Sequence, residues 1–290
     1  PKPSRGLKSA SSIKGDSMTE NLNIQFEGKI GVITGSTQGL GKAVAHLFSR
    51  RGAAGHVICG RNTDNGRKVA GSLIAQGYPT HFVEADLGQV EDCQRVIGEA
   101  DSRFGRIDCL VNCAAITDRG TVLDTSPELF DRMFAVNTRA PFFLMQGALK
   151  IMIREGIEGT VVNVQSMSAH GGQPFISAYC GSKGALSVLT KNAAFSMMRH
   201  RIRINGLNIG WMDTPGEDRI QKNYHGARDS WLEDAEKNQP FGRLLKTEEV
   251  ARSIAFLCSN ESGMMTGSIV DLDQSVLGCY EAPPHPSATS

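Results

Sequence analysis

The sequence lacks the residue patterns of several large classes of protein. Its 290 residues contain neither a Cys-x-x-Cys nor a His-Glu-x-x-His motif, so the common arrangements of a zinc site or a redox-active dithiol are absent. No apolar run approaches the roughly 18 residues that a membrane-spanning helix requires. The formal net charge is only +1, which gives no electrostatic basis for binding nucleic acid or anionic lipid. We therefore expect no metal, no nucleic-acid partner and no membrane partner.

The cysteines do not suggest a disulfide framework. There are seven, an odd number, and most lie inside apolar strand or helix patterns, as buried thiols do. Residues 1–23 are rich in Ser, Lys and Gly and lack the hydrophobic core of a secretory signal. We predict a disordered tail at 1–23, one domain at 24–280, a flexible C-terminal tail at 281–290 and a cytoplasmic location.

Between the two tails, short β-branched runs alternate with helical patterns. Such alternation predicts an α/β protein with a parallel sheet, right-handed crossovers and helices on both faces. The predicted strands are residues 29–34, 55–59, 80–84, 107–112, 159–165, 202–208 and 267–272. The predicted helices are residues 40–51, 63–77, 89–104, 126–136, 139–155, 175–198 and 247–259. The polar residues 211–240 are expected to be irregular.

A glycine-rich turn joins the first predicted strand to the first predicted helix. In this context glycines permit close backbone approach, and the helix N-terminus faces the pyrophosphate of a dinucleotide. The cofactor contacts expected here are Gly35, Ser36, Gln38, Gly39, Leu40 and Gly41. An ATP-type phosphate loop is excluded, because the glycine spacing differs and Ala43 replaces the Ser or Thr that binds magnesium.

A second motif is formed by Tyr179 and Lys183, which stand at i and i+4 of a predicted helix. An ammonium beside a phenol favours the phenolate, so we expect a lowered Tyr179 pKa and acid–base chemistry on an alcohol or ketone. Ser166, thirteen residues before Tyr179, could hydrogen-bond the same substrate oxygen. Taken alone, Tyr-x-x-x-Lys is also the pattern of an ordinary half-buried helix.

Together, Thr-Gly-x-x-x-Gly-x-Gly and Ser…Tyr-x-x-x-Lys resemble the short-chain dehydrogenase/reductase family in its single-domain form. The resemblance implies a Rossmann-type, doubly wound parallel sheet of about seven strands in the order 3-2-1-4-5-6-7. It implies a proton donor or acceptor at Tyr179, a substrate-polarising Ser166, and a Lys183 that also holds the nicotinamide ribose. It further implies a water-anchoring Asn137. From the sequence alone, an Asn137 that satisfies a helix kink is an equal alternative.

The resemblance also implies further cofactor contacts, at Asp86, Leu87, Asn112, Ala114, Gly210 and Thr214. The chain departs from the family pattern at Cys113, at Ile209, where the family commonly has proline, and at Gln274 and Ser275. Because of these departures, the family pattern does not determine the rigidity of the loop after residue 209 or the shape of the adjacent end of the pocket.

The end of the second predicted strand bears on the choice of cofactor. NAD-selective enzymes usually carry an acidic residue there, about 20 residues past the glycines, whereas this chain has Gly60 and Arg61. Arg61 could pair with a 2′-phosphate, so NADP is favoured over NAD. The alternatives are that Arg61 is a solvated turn residue or stacks on adenine.

The predicted function is the NAD(P)-dependent interconversion of a secondary alcohol and a ketone on a small polar substrate. The substrate-contact candidates are His170, Gln173 and Trp211, with Phe175, Met212, His225, Arg228 and Trp231 as further pocket or lid residues. The alternatives are a nucleotide-binding regulatory protein without turnover and a cofactor-retaining epimerase or dehydratase.

Two long helices bear on the assembly of the protein. The helices at 139–155 and 175–198 carry more apolar residues than one sheet-facing stripe needs, and the resemblance places them in a subunit interface. We therefore expect a homotetramer, in which residues 267–277 contribute the second interface. The alternative is that the N-terminal tail or residues 211–240 cover this surface within a monomer.

Overall fold

The computed structural model describes residues 24–279, and the predicted tails at 1–23 and 281–290 lie outside these residues. The strands are β1 (Ile30–Ile33), β2 (Gly55–Gly60), β3 (Thr80–Glu84), β4 (Cys109–Asn112), β5 (Thr160–Ser166), β6 (Arg203–Ile209) and β7 (Ile269–Leu272). The helices are α1 (Gly39–Arg50), α2 (Thr63–Ala75), α3 (Val90–Phe104), α4 (Pro127–Phe134), α5 (Ala140–Arg154), α6 (Ser177–Met197), α7 (Pro215–His225), α8 (Trp231–Lys237) and α9 (Thr247–Cys258).

The seven strands form one parallel sheet in the order β3-β2-β1-β4-β5-β6-β7. This result confirms the predicted α/β fold class and strand order. The central strands are buried on both faces, as the unbroken burial of β5 shows, because helices cover the sheet on either side. No helix within residues 24–279 is both long and apolar enough to cross a bilayer.

Two apolar cores hold the layers together. One core packs α1, α2 and α9 against the sheet and includes Phe48, whose ring stacks on Phe26 with centroids 4.0 Å apart. The other core packs α3 and α5 against the opposite face and includes Ile97, Leu144 and Met152. The sheet is therefore fixed from both sides, and the loops at its carboxyl edge project from a rigid base.

The prediction that residues 211–240 are irregular is wrong, because they contain α7 and α8. Thr214 caps α7 by accepting a hydrogen bond from the Glu217 backbone N–H, Pro215 occupies the first turn, and Gly226 ends the helix in the left-handed conformation. The apolar pattern that normally reveals a helix is missing because α7 buries no residue. The helix expected at 126–136 also ends early, and a π-helical turn at Ala135–Arg139 separates α4 from α5.

Candidate active site

A cleft of about 1040 Å³ lies at the carboxyl ends of the strands, where the strand order reverses between β1 and β4. Its volume is at the upper end of the range for small-molecule sites, which leaves room for a dinucleotide and a substrate. The glycine turn, Arg61 and the loops after β3 and β4 line one part of it. Tyr179, Lys183 and α7 line the other part. Ligands of doubly wound folds bind at this kind of position.

The glycine turn has the geometry that a bound pyrophosphate requires. A Cβ atom on Gly41 would lie 2.6 Å from the Gly35 carbonyl oxygen, and one on Gly35 would lie 2.8 Å from Ala114 Cα. Gly35 and Gly39 both have positive φ, at 61° and 51°. Gln38 caps α1 without a side-chain bond, and the first turn of α1 has no acidic residue. The first backbone N–H groups of α1 therefore suit an anionic ligand.

The predicted cofactor contacts divide into two groups. Most of them line the cleft together with Tyr179 and Lys183: Gly35, Gln38, Gly39, Leu40, Gly41, Arg61, Asp86, Leu87, Ala114, Gly210 and Thr214. Ser36 lies beneath the turn, where its hydroxyl donates to the Ile33 carbonyl oxygen at 2.6 Å and accepts from Cys59 N at 3.0 Å. Asn112 is also buried below the cleft, and its amide donates to Asn163 Oδ1 at 2.8 Å. The side chains of Ser36 and Asn112 therefore support the site from beneath.

Asp86 has a partner that sequence reasoning missed. Arg132 on α4 donates to Asp86 Oδ1 at 2.6 Å, and this bond is the main reason that the pKa of Asp86 is lowered. Asp86 also accepts from Gly88 N at 3.0 Å, so its carboxylate is held at the cleft wall. Arg132 lies 46 residues away in the sequence, and no local pattern predicts the pair.

Tyr179, Ser166 and Lys183 lie together at the floor of the cleft. Ser166 ends β5, and its hydroxyl accepts a hydrogen bond from Ser168 N at 3.1 Å, which helps to fix the Ser166 side chain. The Lys183 ammonium donates to the Val164 carbonyl oxygen at 2.9 Å and lies 5.8 Å from the centre of the Tyr179 ring.

The electrostatics of this group correct the sequence-based expectation. Burial raises the pKa of Tyr179 to about 12, while hydrogen bonding to Ser166 acts in the opposite direction. Burial also lowers the pKa of Lys183 to about 8, opposed only by the Cys113 thiol. The expectation of a lowered Tyr179 pKa is therefore wrong, because removal of the phenol from water outweighs its hydrogen bond to Ser166.

Asn137 lies in the π-helical turn and not in the wall of the cleft. Its amide nitrogen donates to the Ile116 carbonyl oxygen at 2.9 Å and to Ser182 Oγ at 3.1 Å, and its oxygen accepts from Ile116 N at 2.9 Å. The side chain is completely buried. Asn137 thus joins the loop after β4 to α6 immediately before Lys183.

The substrate candidates also divide. Five of them line the cleft: Gln173, Phe175, Trp211, Met212 and His225. His170 lies outside it, with its Nε2 atom 3.3 Å from Asp271 Oδ1 and 3.0 Å from Asn208 Nδ2. Arg228 and Trp231 line an adjoining hollow of about 490 Å³, which shares Trp211 and Gln221 with the cleft.

Several residues at the mouth of the cleft were not predicted. The Tyr224 hydroxyl donates to Asp118 Oδ1 at 2.7 Å, and Arg119 Nε donates to His225 Nε2 at 3.1 Å. Each pair joins α7 to the loop after β4 across 106 residues of sequence. The only local signal for this region is the cap sequence Thr214-Pro215-x-Glu217, which predicts a helix start.

Comparison with known proteins identifies the family. Residues 34–275 match the family model described as enoyl-(acyl carrier protein) reductase. An uncharacterised oxidoreductase of Thermotoga maritima is 33% identical over 86% of this chain and 98% of its own length. Carbonyl reductase (NADPH) 2 of Sus scrofa is 32% identical over 88% of this chain and 99% of its own length.

A solved structure shows the same fold. The 3-oxoacyl (acyl-carrier-protein) reductase of Agrobacterium tumefaciens C58, crystallised with NADP bound, superposes with a TM-score of 0.80. The two chains are 24% identical, and the likeness covers 91% of this chain and 100% of the other. The family match, the relatives and the fold agree with the motifs in the cleft: this chain belongs to the short-chain dehydrogenase/reductase family and is a nicotinamide-dependent oxidoreductase.

Proposed function

We propose that this protein interconverts a secondary alcohol and a ketone on a small polar substrate, with Tyr179 as the general acid and base. The observation that carries the proposal is that Tyr179, Ser166 and Lys183 share one cleft with the glycine turn. A reacting carbon between these two parts would have a proton donor on one side and a hydride donor on the other. When bound, the nicotinamide supplies or accepts that hydride.

For ketone reduction, the proton goes from the Tyr179 hydroxyl to the substrate oxygen as the hydride reaches the carbonyl carbon. The raised pKa of Tyr179, about 12, keeps the phenol protonated at neutral pH, which suits a proton donor. Ser166 would donate a hydrogen bond to the same oxygen as negative charge develops on it. In the oxidation direction, Tyr179 must first lose its proton, and the Lys183 ammonium would favour that loss.

Lys183 and Asn137 act at different distances from the reaction. The Lys183 ammonium is positioned by the Val164 carbonyl oxygen at the end of β5 and would hold the nicotinamide ribose hydroxyls. Asn137 is proposed as a positioning residue, since its amide fixes Ile116 and Ser182 beside Lys183. A water bound near the Ile116 carbonyl could carry protons from this group to Lys183.

We further propose that the enzyme prefers NADP and that Arg61 selects it. Arg61 is exposed in the wall of the cleft directly after β2, where an NAD-selective site would carry an acid. Gly60 must stay small, because a Cβ there would lie 2.7 Å from Thr37 Cγ2. Arg61 would hold the 2′-phosphate of NADP through a charge-assisted hydrogen bond.

A homotetramer is proposed from exposed apolar side chains on α5 and α6. Phe142 is 42% exposed, Val188 68% and Phe195 80%, and no element of the described chain packs over them. Val276 and Leu277, at 68% and 61% exposed, would contribute the second interface near β7. Two different two-fold interfaces combine into a tetramer.

The proposed domain limits and location rest on simpler observations. All seven cysteines are unpaired, which suits a reducing cytoplasm. Limited proteolysis should leave an active core close to residues 24–280, and cell fractionation should find the protein in the cytosol. An internal primary cleavage site, or recovery from an oxidising compartment, would contradict these two assignments.

Tyr179→Phe tests the proton chemistry. Removing the hydroxyl should lower kcat by about 10²- to 10⁴-fold, because a general acid contributes that much to proton transfer. Cofactor affinity, measured by calorimetry, should stay within about twofold. The matched control is Tyr78→Phe, which removes a hydroxyl outside the cleft and should retain the native rate. A Tyr179→Phe enzyme as fast as the native one would show that another group moves the proton.

Lys183→Met tests the buried charge through stability. The folded-state pKa of Lys183 is lowered from 10.5 to about 8, so the unfolded chain binds more protons between these two values. The free energy of unfolding of the native protein therefore gains about 3 kcal/mol from this group as pH rises through that window. The Met variant lacks this gain. Its free energy of unfolding minus that of the native protein should therefore fall by about 2 to 3 kcal/mol between pH 7 and pH 10.

Urea unfolding at the two pH values measures this change. Lys191→Met, on the exposed side of α6, is the control and should show no pH-dependent difference from the native protein. A pH-independent difference for Lys183→Met would mean that the Lys183 ammonium keeps its charge without cost in the folded protein.

Arg61→Ala tests cofactor choice. Losing a charge-assisted bond of about 1.5 to 3 kcal/mol should weaken NADPH binding about ten- to hundredfold, while NADH binding changes little. Arg67→Ala removes the same charge from the exposed side of α2 and should affect neither cofactor. Equal losses for both cofactors in Arg61→Ala, or tighter NADH binding to the native protein, would reject the assignment.

Sedimentation equilibrium tests the assembly. The native chain of 31.2 kDa should sediment at about four times its mass at micromolar concentration. Phe195→Arg should release smaller species, whereas Ile74→Arg, on the exposed face of α2, should leave the assembly unchanged. A monomeric native protein would reject both interfaces, and a stable dimer would reject one.

A further inference from the structure

Arg119 is a positioned cation in the cleft that keeps unused hydrogen-bond donors. It lies in the loop after β4 and lines the same cleft as Tyr179. Its Nε donates to His225 Nε2 at 3.1 Å, and its Nη1 donates to the Thr117 carbonyl oxygen at 2.8 Å. The guanidinium also lies 5.3 Å from the centre of the Phe175 ring. These contacts fix its plane, yet use only two of the five N–H donors of an arginine.

The charge of Arg119 is not neutralised by the protein around it. None of the ion pairs within residues 24–279 includes Arg119. The adjacent Asp118 carboxylate accepts the Tyr224 hydroxyl at 2.7 Å instead. A planar guanidinium with unused donors is the group that best matches a carboxylate, which it can bind through two parallel hydrogen bonds.

The Glu217 carboxylate, of opposite charge, lines the same cleft from α7. Arg119 lowers the pKa of Tyr179 and Glu217 raises it, so both charges act on the tyrosine oxygen. Glu217 Oε1 accepts from Trp211 Nε1 at 2.9 Å and from Gln221 Nε2 at 2.7 Å, which holds it on α7. The cleft therefore presents the Glu217 carboxylate on α7 and the Arg119 guanidinium on the loop after β4, in a lining that also includes Asp118 on that loop and Arg219 on α7.

We propose that Arg119 binds the carboxylate of the substrate, so that the enzyme acts on a short oxo acid and the corresponding hydroxy acid. The assignment rests on the proposed function of the same cleft. A neutral polyol would satisfy Glu217 but leave the Arg119 charge without a partner. A substrate acid can place its carboxylate at Arg119 and its hydroxyl or carbonyl group toward Tyr179. It then pairs with the Arg119 charge and also hydrogen-bonds the Tyr179 hydroxyl. The bond from Arg119 to His225 can persist, because one N–H of Nη1 and both N–H groups of Nη2 remain for the substrate.

Matched pairs of compounds isolate the contribution of the charge. The probes are 2-oxopropanoate, 3-oxobutanoate and 4-oxopentanoate, each paired with its methyl ester, which keeps the carbonyl and removes the negative charge. Binding is followed by tryptophan fluorescence at saturating NADP⁺. The chain has only two tryptophans, and one of them, Trp211, lines the cleft. Turnover is followed separately by NADPH oxidation.

Three variants separate charge from lid closure. Arg119→Gln removes the cation, and Arg119→Lys retains it without the planar fork. His225→Ala breaks the same bond to Arg119 but leaves the charge in place. Arg228→Gln removes a cation from the segment after α7, which lines the adjoining hollow and is not part of the cleft lining. The readout is the ratio of acid affinity to ester affinity, which a change in lid position alone does not move.

The native protein should bind at least one acid about ten- to hundredfold more tightly than its ester. Arg119→Gln should abolish that preference, Arg119→Lys should restore part of it, and His225→Ala and Arg228→Gln should keep it. The proposal is overturned if no acid is preferred to its ester, or if Arg119→Gln keeps the preference.

Turnover data separate this proposal from the proposed function. Rapid NADPH oxidation with esters and acids alike would refute the role of Arg119 while supporting the alcohol–ketone chemistry. Acid-selective binding that depends on Arg119, together with no hydride transfer to any compound of a broad carbonyl panel, would support the anion site and refute the enzymatic proposal.

Discussion

The site depends on the close contact between the ends of β1 and β4. The Thr34 hydroxyl accepts hydrogen bonds from Cys113 N at 3.0 Å and Ala114 N at 3.1 Å, and Gly35 packs directly against Ala114. This contact fixes the distance between the turn that suits a pyrophosphate and the loop that carries Arg119. Because any side chain on Gly35 would push the two strands apart, the glycine is required by packing as well as by its backbone conformation.

A second constraint is the removal of Tyr179 and Lys183 from water, since Lys183 is buried and Tyr179 is partly buried. Burial favours the uncharged form of both groups, with pKa values of about 8 for Lys183 and about 12 for Tyr179. The fold therefore holds a costly ammonium in place through one carbonyl oxygen, that of Val164. The two apolar cores, which pack on opposite faces of the sheet, offset the free-energy cost of burying this charge.

The sequence predicted the sheet and the residues that repeat a family pattern, because both follow from local periodicity and spacing. It missed α7, whose side chains are polar and cover a cleft instead of a core. It could not predict Arg132 beside Asp86 or the Arg119–His225 bond, because these contacts join distant segments through single side chains. It also gave the wrong direction for the Tyr179 pKa, since helical spacing places a charge nearby but does not reveal the burial of either group.

The lid helix α7 has a consequence for local stability. It buries none of its residues, and its ends are joined to the rest of the chain mainly by polar contacts, such as those of Tyr224 and His225 with the loop after β4. Lifting it away would expose little apolar surface and would leave β5 and β6 intact. We therefore expect α7 to open locally at a much lower free energy than global unfolding, so that its backbone amides exchange with solvent long before those of the central strands.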